Sequence, residues 1–200
     1  MNFALVVAAG YLAGSCPWGY WLPRLFRGED VRRQGSGSIG ASNVWRSYGR
    51  TLGLPVVVLD ALKGYLPALA GVLLVSHLGG IVAGVAAMLG HARPLFLRFE
   101  KGGKMVATGG GVLFAVCGWV ALAVGGIWVA TFLASRYTSL ASIVSAVALP
   151  VLALVFGSPT EVVAFAAFTG AAVIVLHRGN LRRLRAGTEN RFKLRRAARV

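Results

Sequence analysis

Acidic residues are scarce: six Asp and Glu stand against 21 Lys and Arg in 200 residues, a net charge of +15. Charged residues of either sign make up only 14 % of the chain, where a soluble domain carries about 25 %. A surface that poor in charge faces lipid rather than water. On a soluble protein the basic excess would mean nucleic-acid binding. Here the basic residues fall between long apolar runs, so they read as orientation signals and no nucleic-acid partner is expected. Cysteine is limited to Cys16 and Cys117, both inside apolar stretches, so packing is expected rather than a disulfide. Three scattered histidines, His77, His91 and His177, make no zinc-ligand spacing with them, and no metal is expected. Neither GxxxxGK[ST] nor GxSxG occurs, which removes a P-loop and a nucleophile elbow. Residues 1–23 hold no charge, so a cleavable signal with a basic leader is not expected.

What the chain does have is apolar length. Runs suited to spanning helices cover about 3–23, 51–75, 78–97, 137–156 and 160–176. Residues 105–135 carry no charge and as one helix would reach about 46 Å, against a hydrocarbon core of about 30 Å. Charge decides between a tilted helix and a hairpin. The stretches 24–50, 98–104 and 177–200 are rich in Lys and Arg, whereas the connectors 76–80 and 157–161 contain none. A hairpin turning near Cys117, Gly118 and Trp119 keeps every basic stretch on one side. The expectation is an all-α integral membrane protein of seven transmembrane helices, N-terminus outside and C-terminus cytoplasmic. A single membrane-embedded domain would cover 1–192, with a basic tail at 193–200. Arg195, Arg196 and Arg199 in that tail read as anchors to anionic lipid.

The polar sequence is then confined to the cytoplasmic face. GSGSIGASNVWR at 35–46 joins glycines, whose backbone N–H groups approach an anion closely, to hydroxyls and Arg46. The plainer alternative is a flexible linker. GHARP at 90–94 leads to EKGGK at 100–104, where Gly102 and Gly103 place backbone donors beside Lys104 at a helix start. His177 and Asn180 are spaced i, i+3 and fit one helical face. Asp60 and Lys63 lie one turn apart within an apolar run, which reads as a structural ion pair. These are anion-binding groups at a membrane face without a strong side-chain nucleophile.

Taken together, the stretches resemble one family, the bacterial acyl-phosphate-dependent glycerol-3-phosphate acyltransferases (PlsY). Its motifs run close to GSGNxGATNVxR, GHxxPxFxxFKGGKGVAT and HRxNIxRLxxGxExRF. The chain has GSGSIGASNVWR, GHARPLFLRFEKGGKMVAT and HRGNLRRLRAGTENRF. LDALKG at 59–64, RYTSLASI at 136–143 and YLAGS at 11–15 look like family segments too. The His-x4-Asp pair of the glycerolipid acyltransferases that use acyl-CoA or acyl carrier protein is missing. The resemblance implies transfer of an acyl group from acyl phosphate to the 1-hydroxyl of sn-glycerol 3-phosphate, at the cytoplasmic face of the plasma membrane. No cofactor is implied, and a monomer is plausible.

By the motif match, Ser36, Ser42, Asn43 and Arg46 fall in a phosphate subsite, with Gly35 and Gly37 supplying its backbone. Gly102, Gly103 and Lys104 match the glycerol-phosphate segment. His177 and Asn180 would orient the acceptor, Ser139 and Ser142 would line the site, and Glu189 would be structural. Ser36, Lys104 and His177 are the candidate catalytic residues. The chain departs from the motifs at Ser38 (Asn), at an extra residue (Glu100 or Lys101) and at Met105 (Gly). Two rivals stand beside this reading: a non-catalytic carrier for anionic lipid or small phosphate, and an acyltransferase with another phospho-alcohol acceptor.

Overall fold

The structure is a computed structural model that describes residues 2–192, so the tail at 193–200 lies outside it. Ten α-helices and no strand occur among the described residues: α1 Phe3–Gly14, α2 Trp18–Arg27, α3 Ala41–Tyr48, α4 Arg50–Leu74, α5 His77–Ala92, α6 Val106–Val116, α7 Gly118–Ser135, α8 Thr138–Val155, α9 Thr160–Leu176 and α10 Arg178–Arg185. Four stretches are long and apolar enough to cross a membrane: α4, His77–Leu97, α7 and α8. A fifth forms if α9 and α10, bent by 57° at His177, count as one.

The first expected span is corrected. Instead of one helix over 3–23, α1 ends at Gly14 and a separate α2 begins at Trp18. Pro17 has no N–H to continue the α1 ladder. The sequence beyond it is amphipathic rather than uniformly apolar, with Arg24 and Arg27 in the last turn of α2. The long run at 105–135 is interrupted at Cys117, as the hairpin expectation required, leaving an 11-residue α6 before the 18-residue α7. At about 16 Å, α6 reaches only half the hydrocarbon thickness.

Small residues let the helices approach closely. Gly10 and Gly14 of α1 lie against the backbone of Ala83 and Ala87 on α5, leaving no room for a Cβ. The main core joins α4, α5, α6, α7, α8 and α9 around Met88, Val112, Val120 and Phe165. Large apolar side chains such as Leu73, Trp119 and Val155 are 72 %, 79 % and 73 % exposed, a surface suited to lipid rather than water. At the end of α5 away from His91, His77 ties three helices: Nε2 faces the Val116 carbonyl at 2.9 Å and Nδ1 faces Glu161 at 3.3 Å.

A second, smaller core lies under the glycine-rich segment, formed by Val31, Ile39, Val44, Leu52, Val56 and Leu97. Residues 31–44 are therefore a packed structure and not a loose linker.

Candidate active site

The glycine-rich segment is held open by one side chain. Asn43 is 1 % exposed. Its Nδ2 donates to the carbonyls of Ser38 at 2.9 Å, Gln34 at 3.0 Å and Val31 at 3.4 Å, and its Oδ1 accepts from the Ser36 N–H at 2.9 Å. Both polar atoms are spent on bracing the loop. Gly35 and Gly37 have φ of +53° and +70°, a region glycine enters without the Cβ penalty. Ser38 completes the turn, its Oγ accepting from the Gly40 N–H at 3.1 Å. Beyond it α3 starts at Ala41 with Gly40 as an N-cap that supplies no side-chain acceptor. Its first N–H groups and the positive end of its dipole stay available to an anion.

A second group of residues forms a hydrogen-bonded chain. Lys104 Nζ donates to Asn180 Oδ1 at 2.6 Å, and Asn180 Nδ2 donates to Glu189 Oε1 at 2.7 Å. Ser139 Oγ donates to the same oxygen at 2.8 Å, while Arg183 Nε donates to Glu189 Oε2 at 2.7 Å. Burial alone would raise the Glu189 carboxyl, yet these three donors outweigh it and hold it below its ordinary value. Burial, aided by Arg183, Arg46 and Lys101, pulls the Lys104 ammonium down to about 8 against the opposing pull of Glu189. Burial also pulls the Arg46 guanidinium below its ordinary value, and Arg46 has no carboxylate within 4.0 Å among the described residues.

His177 sits at the bend just beyond α9. Its Nδ1 lies 2.8 Å from the Val173 carbonyl. A carbonyl only accepts, so Nδ1 carries the proton and Nε2 presents a lone pair. Burial and then the Lys104 charge pull its pKa down to about 4, so the ring is neutral at ordinary pH.

The two groups enclose a cavity of about 360 Å³. Ser36, Ser42, Asn43 and Arg46 line it, together with Lys104, Ser139, Ser142, His177 and Asn180. Gly35, Gly37, Gly102, Gly103 and Glu189 stand behind this lining. Ser142 has little left to offer a ligand: its Oγ donates to the Thr138 carbonyl at 2.8 Å and accepts from Trp128 Nε1 at 3.1 Å. Asp60 also reaches the lining, while Lys63 lies behind it, paired to Asp60 at 2.8 Å. Much of the remaining lining is apolar, including Leu113, Ala121, Val124 and Leu149. His91, Ser38 and Trp128 are not among the site residues that the sequence singles out, yet all three line the cavity. His91 is legible within GHARP; Trp128 sits in a featureless apolar run that gives no signal.

The model of the family described as glycerol-3-phosphate acyltransferase matches residues 4–187. The chain belongs to this family. The glycerol-3-phosphate acyltransferase of Synechococcus sp. (strain JA-3-3Ab) is 43 % identical over 192 residues, covering 96 % of this chain and 94 % of that one. That of Aquifex aeolicus (strain VF5) is 42 % identical over 194 residues, covering 96 % and 100 %. Among solved structures, the glycerol 3-phosphate form of PlsY (YgiH), an integral membrane glycerol 3-phosphate acyltransferase, superposes with a TM-score of 0.92 at 41 % identity over 96 % of both chains. Its lysophosphatidic acid form gives 0.88 at 39 % identity, again over 96 % of both. Membership of the acyltransferase family makes this chain an integral membrane transferase of phospholipid synthesis. The cavity is where its fold gathers groups suited to that chemistry.

Proposed function

We propose that this acyltransferase moves a fatty acyl group from acyl phosphate to the 1-hydroxyl of sn-glycerol 3-phosphate, releasing lysophosphatidic acid and inorganic phosphate. One observation carries the reading. Arg46 and Lys104 are two partly buried cations with no carboxylate within 4.0 Å among the described residues, and both line one cavity whose lining is otherwise largely apolar. Such cations call for anions, and the apolar part suits a chain attached to one of them.

Acyl phosphate is a mixed anhydride, already activated, so positioning and charge stabilisation supply most of what the reaction needs. The uncapped start of α3, with Ser36, Ser42 and Arg46, suits one phosphate; Lys104 suits the other. The acceptor oxygen attacks the carbonyl carbon, the carbonyl–phosphate C–O bond breaks, and the phosphate leaves with that electron pair. A His177 imidazole with a pKa of about 4 is a weak base in the free enzyme. Its Nε2 lone pair is well suited to accept from the hydroxyl and orient it. The proton passes to that nitrogen or to a phosphate oxygen of the substrate. Seven spans, an outside N-terminus and a cytoplasmic site, in one domain over 1–192, belong to the same reading; the distribution of Lys and Arg supports its topology.

Purified protein supplied with palmitoyl phosphate and glycerol 3-phosphate should release phosphate and form lysophosphatidic acid. No release above a Lys104→Ala control would sink the proposal. Binding of both without turnover would favour a carrier, and turnover with only another phospho-alcohol would favour a different acceptor.

A further inference from the structure

His91 is the buried group whose surroundings are least explained by packing. It closes α5 and is 3 % exposed, yet its ring lines the cavity. Its Nδ1 has no hydrogen-bond partner among the described residues. Leaving such a group unpaired is costly, a penalty that a core histidine usually avoids by finding a carbonyl.

Its other contacts all converge on one short segment. The His91 carbonyl accepts from the Gly103 N–H at 3.0 Å, and the adjoining Ala92 carbonyl accepts from the Gly102 N–H at 2.9 Å. The imidazole lies directly on Gly103, where any Cβ would collide with the ring. The next residue is Lys104. Behind the ring, Asp60 Oδ1 of α4 lies 3.7 Å from Nδ1, too far for a direct hydrogen bond but close enough to orient it. Asp60 is itself fixed by Lys63 at 2.8 Å, and Lys63 Nζ donates to the Cys16 carbonyl at 2.7 Å, at the break between α1 and α2. An unbroken series of contacts therefore runs from the α1–α2 break through Lys63, Asp60 and His91 to the backbone that carries Lys104.

We propose that His91, oriented by Asp60, is a positioning residue that fixes the Gly102 and Gly103 backbone and so sets where Lys104 meets the acceptor phosphate. Its imidazole acts on Gly103 by shape, while the bond to the Gly103 N–H comes from the His91 backbone carbonyl and is kept in any side-chain variant. A displacement of about 1 Å at a positioned group can cost up to about a hundredfold. This inference rests on Lys104 holding the phosphate of the acceptor.

Steady-state kinetics on the full-length enzyme test it. His91→Ala should raise KM for glycerol 3-phosphate about tenfold, leave kcat within about threefold and leave KM for palmitoyl phosphate unchanged. His91→Gln, whose terminal amide reaches about the position of Nε2 and so keeps atoms against Gly103, should recover most of the loss. A purely structural histidine would move both KM values and kcat together, and that pattern overturns the proposal. So does a fall in kcat at constant KM, or no change at all. Should His91→Ala fail to fold, Gly103→Ala applies the same test from the other side, because its methyl group displaces the ring; it should produce the same acceptor-specific rise. Lys104→Ala separates the role of Lys104 from that of His91. If it leaves the acceptor KM unchanged, the assignment of Lys104 fails; if it raises that KM while the His91 and Gly103 variants do not, only the role of His91 fails.

Discussion

The two walls of the cavity bind by different means. The wall from Ser36 to Arg46 offers backbone N–H groups at an uncapped helix start, free hydroxyls and a guanidinium with no ion-pair partner among the described residues. Its bracing hydrogen bonds run through the Asn43 amide, which is spent on the loop. The wall from Lys104 to Glu189 is a chain of side chains already bonded to one another. The first is a rigid receptor with unspent donors, whereas the second is an adjustable group whose charge is set by its neighbours. Losses on the first wall should appear as lost binding of charge that develops in the reaction. Losses on the second should appear as altered acceptor affinity and altered pH dependence.

The largest effect is expected at Arg46. Its removal takes away a partly desolvated cation aimed at phosphate, and losing one such transition-state contact costs about 10²–10³ in rate. Arg46→Ala should lower kcat/KM by at least about a hundredfold with little change in thermal stability, since no partner is left behind. Arg46→Lys should restore only part of it, because an ammonium cannot bond bidentately. Similar losses for Arg46→Ala and for a surface arginine such as Arg24→Ala would end the distinction between the walls.

The pH dependence should come next. With the Lys104 ammonium held at about 8 in the free enzyme, the group is charged at pH 7 and loses its proton as pH rises through 8. Phosphate binding favours the charged form. KM for glycerol 3-phosphate should therefore be flat below about pH 7.5 and rise towards tenfold per unit above about 8.5. Lys104→Arg should flatten that rise, because guanidinium stays protonated. An unchanged upturn in Lys104→Arg would assign the titration to another group.

The bracing of the first wall gives a smaller effect, on stability rather than chemistry. Asn43→Ala removes the partners of Ser36 N–H and of buried carbonyls, about 1–3 kcal/mol for each group left unsatisfied. The 31–44 segment should become the first site of proteolytic cleavage in the variant. If cleavage there does not change, the segment owes its form to the core of Val31, Ile39 and Val44 instead.

The difference between the walls also explains what can be read without the fold. Spans of α4, α7 and α8 follow from apolar length, and the interruption at Cys117 follows from charge placement. The α1–α2 break does not, because Pro17 sits in a run whose composition alone allows a continuous helix. Residue types at the site are legible because the polar stretches are so few. Their division of labour is not. Asn43 belongs to the same motif as Arg46, yet one side chain turns inward to four backbone groups and the other faces the cavity, and no spacing rule distinguishes them. His91 likewise needs the fold, since its neighbour in function, Gly103, lies 12 residues along the chain and meets it only through the turn at Pro94.

The smallest effect concerns Met105, where the family motif has glycine, and its sign depends on whether backbone strain or core packing weighs more. Met105 adopts φ +65° and ψ 0° at the start of α6, a left-handed conformation that costs a non-glycine residue about 1–2 kcal/mol. Glycine would remove that strain. Met105 is also 4 % exposed and packs into the main core, and emptying a buried methionine site costs about 2–5 kcal/mol. Packing therefore outweighs strain, and Met105→Gly should destabilise the protein by about 1–3 kcal/mol despite restoring the motif. The variant should still turn over, because the Met105 side chain lines the cavity but makes no hydrogen bond to the polar groups there. A stability gain in Met105→Gly, measured by thermal unfolding in detergent, would mean that the core closes over the vacated space and that strain outweighs packing at this position.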